Sequence, residues 1–148
     1  MYFDDLKVGQ TFCSVGRTIT ETDVVLFAAI TGANNELHTN QEAAKKTQFG
    51  ERIAHGILTF AMTQGLFYRT AVLDSSLIAL LGFDQLSFPK PVFFGDTICA
   101  QFEVAELVPS KSKADRGVVT LRVSTRKQTG EVVLTYTVKA LVARQKGT

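Results

Sequence analysis

The stretch "ILTFAMTQGLFYRTAV", from Ile57 to Val72, carries apolar residues on nearly every helical face instead of along one stripe. A helix of that kind is buried on all sides, so the rest of the chain has to wrap around it. The C-terminal half of the chain is suited to wrapping. The runs "SLIALLGFDQLSF", "TICAQFEVAEL", "GVVTLRVSTRK" and "EVVLTYTVKALVA" are β-rich, and "PKP", "FGD" and "QTG" separate them as turns. The last two runs, joined at Thr129 and Gly130, read as a hairpin. Four or five long strands beside one buried helix predict an α+β fold with the sheet around the helix. A chain of 148 residues has room for one such domain, spanning 1–148.

Upstream of the helix, "TFCSVGRT" has the loose alternation of a first strand. Thr20 then caps a helix, with the acidic Asp23 three positions on and "VVLFAAI" as its apolar body, and Gly32 ends it. Asn40 caps a second short helix beginning "QEAAKK", which leaves residues 32–39 as a loop. Cys13 and Cys99 have no paired spacing and sit among apolar neighbours, so they read as core residues in a reducing compartment. The net charge of +2 comes from dispersed Lys and Arg, with no footprint for nucleic acid. Apolar stretches stop short of bilayer length, and "MYFDDLKVGQ" lacks the basic start and apolar centre of a secretion signal. The expectation is a soluble cytoplasmic protein, off the membrane, with "ARQKGT" as a short solvated tail.

Three segments carry the chemistry: "FAAITGANNELHTNQEAA", "ERIAHGILTFAM" and "LSFPKPVFFGDTICAQFEV". In this order they resemble the MaoC-like, R-specific enoyl-CoA hydratase family, over essentially the whole chain. The resemblance implies a hot dog fold, usually paired as a homodimer with sites near the subunit interface. It also implies a trans-2-enoyl thioester of CoA or acyl carrier protein as substrate, with no metal or redox cofactor. The family's hydratase motif, Gly-Asp-x-Asn-Pro-aliphatic-His, is answered here by Gly32, Ala33, Asn34, Asn35, Glu36, Leu37 and His38. Two positions depart: Ala33 stands where the catalytic Asp is expected, and Glu36 replaces the Pro.

By the same resemblance, the N–H of Gly56 at the start of the central helix holds the thioester oxygen, and Asn35, His55 and Ile57 border the substrate. The physical chemistry is coherent. Adding water across C2 and C3 builds negative charge on the thioester oxygen, which an N–H at a helix N-terminus is already oriented to meet. A carboxylate and an imidazole then share the water, one taking its proton as it attacks C3 while a proton reaches C2. His38 is the retained half. Loss of the carboxylate costs about 10²–10⁴-fold if nothing replaces it. Ala33 fits an engineered Asp→Ala change, natural loss of chemistry, or use of another acid; Glu36, in the same loop, is one candidate.

Each residue also has a plainer reading. His38 alone would pass for a surface histidine; His55, preceding a glycine at a helix start, for a residue shaping the turn. Asn35 reads as a loop organiser. Phe83, Phe88, Phe93 and Phe94 suit either an acyl tunnel or simple core. Asp96 belongs to a structural turn. Lys90, Lys111, Lys113 and Arg116 are candidates for CoA phosphates, with no single one favoured. Two histidines without a nearby thiolate or carboxylate at ligand spacing make a poor metal site. Competing functions are a thioesterase, a dehydratase with its acid on the central helix, and a non-catalytic thioester-binding subunit whose partner supplies the Asp–His pair. The absence of any Asp or Glu from Ile57 to Val72 argues against the first two.

Overall fold

In the computed structural model, which describes residues 1–145, the four long strands are Leu77–Ser87 (β3), Thr97–Pro109 (β4), Arg116–Lys127 (β5) and Val132–Ala143 (β6). Thr11–Cys13 (β1) and Arg17–Thr18 (β2) both pair with β4, so the expected first strand is broken into two pieces. Its register explains the break. Cys13 lies opposite Gln101 and Arg17 opposite Ile98, so four residue steps on one side span three on the other. The surplus residue cannot stay in the ladder. The sheet runs β1-β4-β5-β6-β3, antiparallel throughout, with β3 at an edge.

The central helix α4 spans Gly56–Tyr68 and ends four residues before the apolar run does. Ala71 adopts φ 55°, a left-handed conformation that ends helical propagation. Two cores flank α4. Phe67 packs with Phe102, Leu121 and Tyr136 from the sheet; Leu58 and Leu66 pack with Ile19, Val24, Ile98 and Val133. This double contact is why α4 is apolar on more than one face. Burial is nevertheless incomplete, because Ile57, Ala61, Gly65 and Tyr68 form an exposed stripe along the helix. Within one chain, the expectation of burial on every side is therefore corrected.

Strand alternation sets the sheet's two faces. Ile98, Ala100, Phe102 and Val104 point into the core, which turns Cys99 outward. Cys13 pairs with the outward Gln101 and is also exposed, so neither cysteine is a core residue. Their apolar sequence neighbours belong to the opposite face. Phe83 and Phe88 are likewise exposed, at 38% and 42%, because they lie on or just beyond the free edge strand.

Helix α1 covers Glu21–Thr31, with Thr20 and Asp23 forming the expected capping box and Gly32 closing it at φ 72°. The expected loop 32–39 is shorter than anticipated, since Glu36–Thr39 forms one turn of helix, α2, capped by the Asn35 side chain. Asn40 then caps α3, Gln41–Ala44. At the other terminus Arg144 pairs with Asp4, so the expected solvated tail is tied down at its start. Residues 146–148 lie outside the described residues.

Candidate functional site

The turn α2 holds His38 by local hydrogen bonds: Asn35 Oδ1 accepts from Leu37 N, and the Asn35 carbonyl accepts from His38 N. Asn35 is therefore the loop's organiser. The His38 ring reaches across to the segment before α4, where its Nδ1 lies 2.8 Å from the Ile53 carbonyl oxygen. His55 reaches in the opposite direction, with Nε2 2.9 Å from the carbonyl oxygen of Ala33. The two imidazoles stack with centroids 3.9 Å apart. Each histidine thus binds backbone in the other's segment.

A carbonyl can only accept, so each bonded ring nitrogen carries the proton. Neutral His38 is consequently protonated at Nδ1 and keeps its Nε2 lone pair free to take one. Neutral His55 is protonated at Nε2, and its Nδ1 is buried with no hydrogen-bond partner among the described residues. Burial pushes the His55 imidazole below its ordinary range; the Ala33 bond opposes this and His38 adds to it.

His55 is also the N-cap residue of α4, yet its side chain makes no cap hydrogen bond. The first N–H groups of this helix, Gly56 foremost, are left without a side-chain acceptor. Gly56 borders a cavity of about 360 Å³ whose wall includes Phe49, Thr59, Phe88, Lys90 and Val92. A Cβ at Gly56 would sit 3.1 Å from the Phe88 ring, so here the close approach that glycine permits is taken up by Phe88. His38 opens instead on a neighbouring groove shared with Asn34, Arg52 and the Val24 side of α1. His38 lines only this groove, and the buried His55 ring lines neither hollow.

Other predicted residues separate. Ile57 is 52% exposed and, like Asn35 and His55, does not line the Gly56 cavity. Glu36 is exposed and accepts from the Asn40 amide, bonding neither histidine. Lys90 is at the cavity wall, near the end of β5, because Lys127 Nζ lies 3.5 Å from the Pro91 carbonyl. Arg116 begins β5, about 35 Å away at strand rise, with Lys111 and Lys113 in the loop before it. These basic groups cannot act as one phosphate site. Arg116 instead pairs with Asp115.

Three polar residues of α4 are committed internally: Thr59 Oγ1 to the His55 carbonyl, Thr63 to Thr125, and Gln64 Nε2 to the Tyr136 hydroxyl. Among the described residues, no three His, Cys, Asp or Glu side chains cluster as metal ligands. Asp96 is structural, as expected. It accepts from Phe93 N and Gln128 Nε2 and lies 3.4 Å from Lys127 Nζ. Burial raises the Asp96 carboxyl, but the Phe93 amide, Gln128 and Lys127 outweigh it and hold the group below its ordinary value. Phe88, one of the four phenylalanines named from the sequence as candidates for an acyl tunnel, does border this cavity, whereas Phe49 and Thr59 carry no sequence signal of their own, since only the packing of the loop after α3, the start of α4 and the segment after β3 assembles them.

A family model described as a MaoC-like domain matches residues 5–128. The chain is 39% identical over 117 residues to 3-hydroxybutyryl-CoA dehydratase of Methylorubrum extorquens, covering 77% of this chain and 70% of that protein. It is 39% identical over 113 residues to the (R)-specific enoyl-CoA hydratase of Rhodospirillum rubrum, covering 74% of each. Among solved structures, a protein from Archaeoglobus, described as a monoamine oxidase regulatory protein, superposes with a TM-score of 0.91 at 38% identity, covering 99% of this chain and 96% of that one.

Proposed function

The chain belongs to the MaoC-like domain family, and from that premise we propose that it hydrates a trans-2-enoyl thioester to the (R)-3-hydroxyacyl thioester, or runs the reverse dehydration. The observation that carries this reading is the stacking of His38 on His55. It brings the motif loop against the residue that precedes Gly56, although the two histidines are 17 positions apart. In the proposed reaction the thioester oxygen lies at the Gly56 N–H, where the uncapped end of α4 favours developing negative charge. His38 Nε2 accepts a proton from the water that attacks C3, and the imidazolium returns that proton to C2 as the enolate collapses, which completes the addition and frees Nε2 again. The carboxylate that would share this water is missing at Ala33, and Glu36 is engaged elsewhere. The chain is therefore a weakened hydratase by about 10²–10⁴-fold.

A thioesterase, or a dehydratase with its acid on the central helix, finds no support, since α4 has no carboxylate and its Thr59, Thr63 and Gln64 side chains are bonded within the protein. The non-catalytic binding subunit remains the second reading, favoured by Ala33 alone. Hydration of crotonyl-CoA and a longer trans-2-enoyl-CoA, followed by loss of enoyl absorbance, separates the two. An Ala33→Asp variant is expected to raise the rate by about two orders of magnitude or more. If both proteins are inert and still bind acyl-CoA, the binding-subunit reading replaces the hydratase.

The working form is proposed to be a homodimer. The free edge of β3 exposes Leu80, Leu81, Phe83 and Leu86, and α4 exposes its Ile57 stripe. An unpaired apolar strand edge is the kind of surface that a second copy covers.

A further inference from the structure

We infer that His55 is a positioning residue for His38, a role that rests on the hydratase reading and adds to it. Three observations converge on this ring. Its Nε2–H donates to the Ala33 carbonyl at 2.9 Å, its face stacks on His38 at 3.9 Å, and Phe27 closes its other surroundings at 4.9 Å. The bond is matched by His38 donating to Ile53, two residues before His55. Together the two bonds form a reciprocal clasp between the motif loop and the entrance to α4. Neither histidine caps a helix with its side chain, so this arrangement does not serve helix termination.

The buried Nδ1 of His55 gives the clasp its direction. With no acceptor facing it among the described residues, that nitrogen stays unprotonated, and the ring's one proton is committed to Nε2 and the Ala33 carbonyl. His55 therefore anchors the loop as a neutral donor. The anchored loop keeps the His38 ring where Nδ1 meets the Ile53 carbonyl, and this fixes the tautomer that leaves Nε2 bare. His55 itself touches no reacting atom; it acts through His38 and through the position of Gly56.

The test uses the full chain and a spectroscopic readout independent of turnover. Because the protein has two histidines, every His55 variant leaves His38 as the sole imidazole. Long-range proton–nitrogen spectra at mildly alkaline pH then report which nitrogen of His38 is protonated. The intact protein is expected to show His38 protonated at Nδ1. His55→Phe, which keeps a flat ring and loses the donor, is expected to move His38 to a mixture of tautomers. His55→Gln, whose amide reaches the Nε2 position, is expected to restore Nδ1 protonation. If His55→Phe fails to fold, His55→Asn replaces it, since its shorter amide does not reach Ala33.

In the Ala33→Asp background the same loss is expected to lower kcat on crotonyl-CoA by about tenfold or more with KM little changed, and His55→Gln is expected to recover most of it. A folded His55→Phe or His55→Asn protein that retains pure Nδ1 protonation of His38 overturns the inference, as does a His55→Gln protein with the same mixture as those variants. Absence of turnover in the Ala33→Asp background would instead count against the hydratase reading, leaving the tautomer result to decide the role of His55.

Discussion

A single atom, Nδ1 of His55, connects the candidate site to stability. The folded chain holds this imidazole below its ordinary value of 6.5, so on acidification the unfolded chain takes up a proton that the folded one resists. The unfolded state binds more protons in that window, and stability rises with pH. The contribution is intact above 6.5 and is lost as pH falls through 6.5 toward the lower folded value. Urea-unfolding midpoints measured from mildly alkaline to mildly acidic pH are expected to fall in this range, and His55→Phe is expected to reduce the slope. An unchanged slope would mean that the ring protonates freely in the fold. Asp96, held below 3.8, acts only in stronger acid, with stability lost as pH falls through its folded value. The capping residues Thr20, Asp23 and Asn40 were readable because each acts within a few positions. His55 was readable as a turn or supporting residue, but its partner Ala33 was not, since nothing local joins two residues 22 apart.

At the scale of elements, the segment after β3 forms the wall of the Gly56 cavity, and the Asp96–Lys127 contact pins it to the end of β5. Both side chains are about nine-tenths buried, and Lys127 also sits 5.3 Å from the centre of the Phe93 ring. Removing the carboxylate by Asp96→Ala leaves a buried ammonium whose remaining partners among the described residues are the half-exposed Glu131, 3.4 Å away, and the Pro91 carbonyl. The expected cost is about 3 kcal/mol, read from urea unfolding. A loss below about 1 kcal/mol would show that Glu131 compensates and the pair is not a lock. The turn itself was visible in "FFGD", with Gly95 at φ 91° supplying the tight conformation. The buried lysine was not, because an isolated Lys at a strand end reads as solvated until a carboxylate from another turn is placed against it.

For the whole molecule, the open β3 edge and the exposed stripe of α4 predict dimerisation. Sedimentation equilibrium is expected to give twice the chain mass, and Leu81→Glu, which puts a charge on a side chain 53% exposed in one chain, is expected to yield a monomer. A monomeric parent protein would overturn the dimer. Local sequence was enough to set the α+β class, the four long strands and the caps of α1 and α3, because periodicity, capping and turn chemistry act over a few positions. The motif residues, and Ala33 as the position where a carboxylate is expected, came instead from the resemblance to the family's motif. Three-dimensional packing alone determined that Cys13 and Cys99 face outward, that α2 folds inside the motif loop, that Phe88 rests on Gly56 and that two histidines clasp each other's backbone. Those outcomes depend on strand register and on the docking of distant segments, and a residue's own neighbours in the chain carry no record of either.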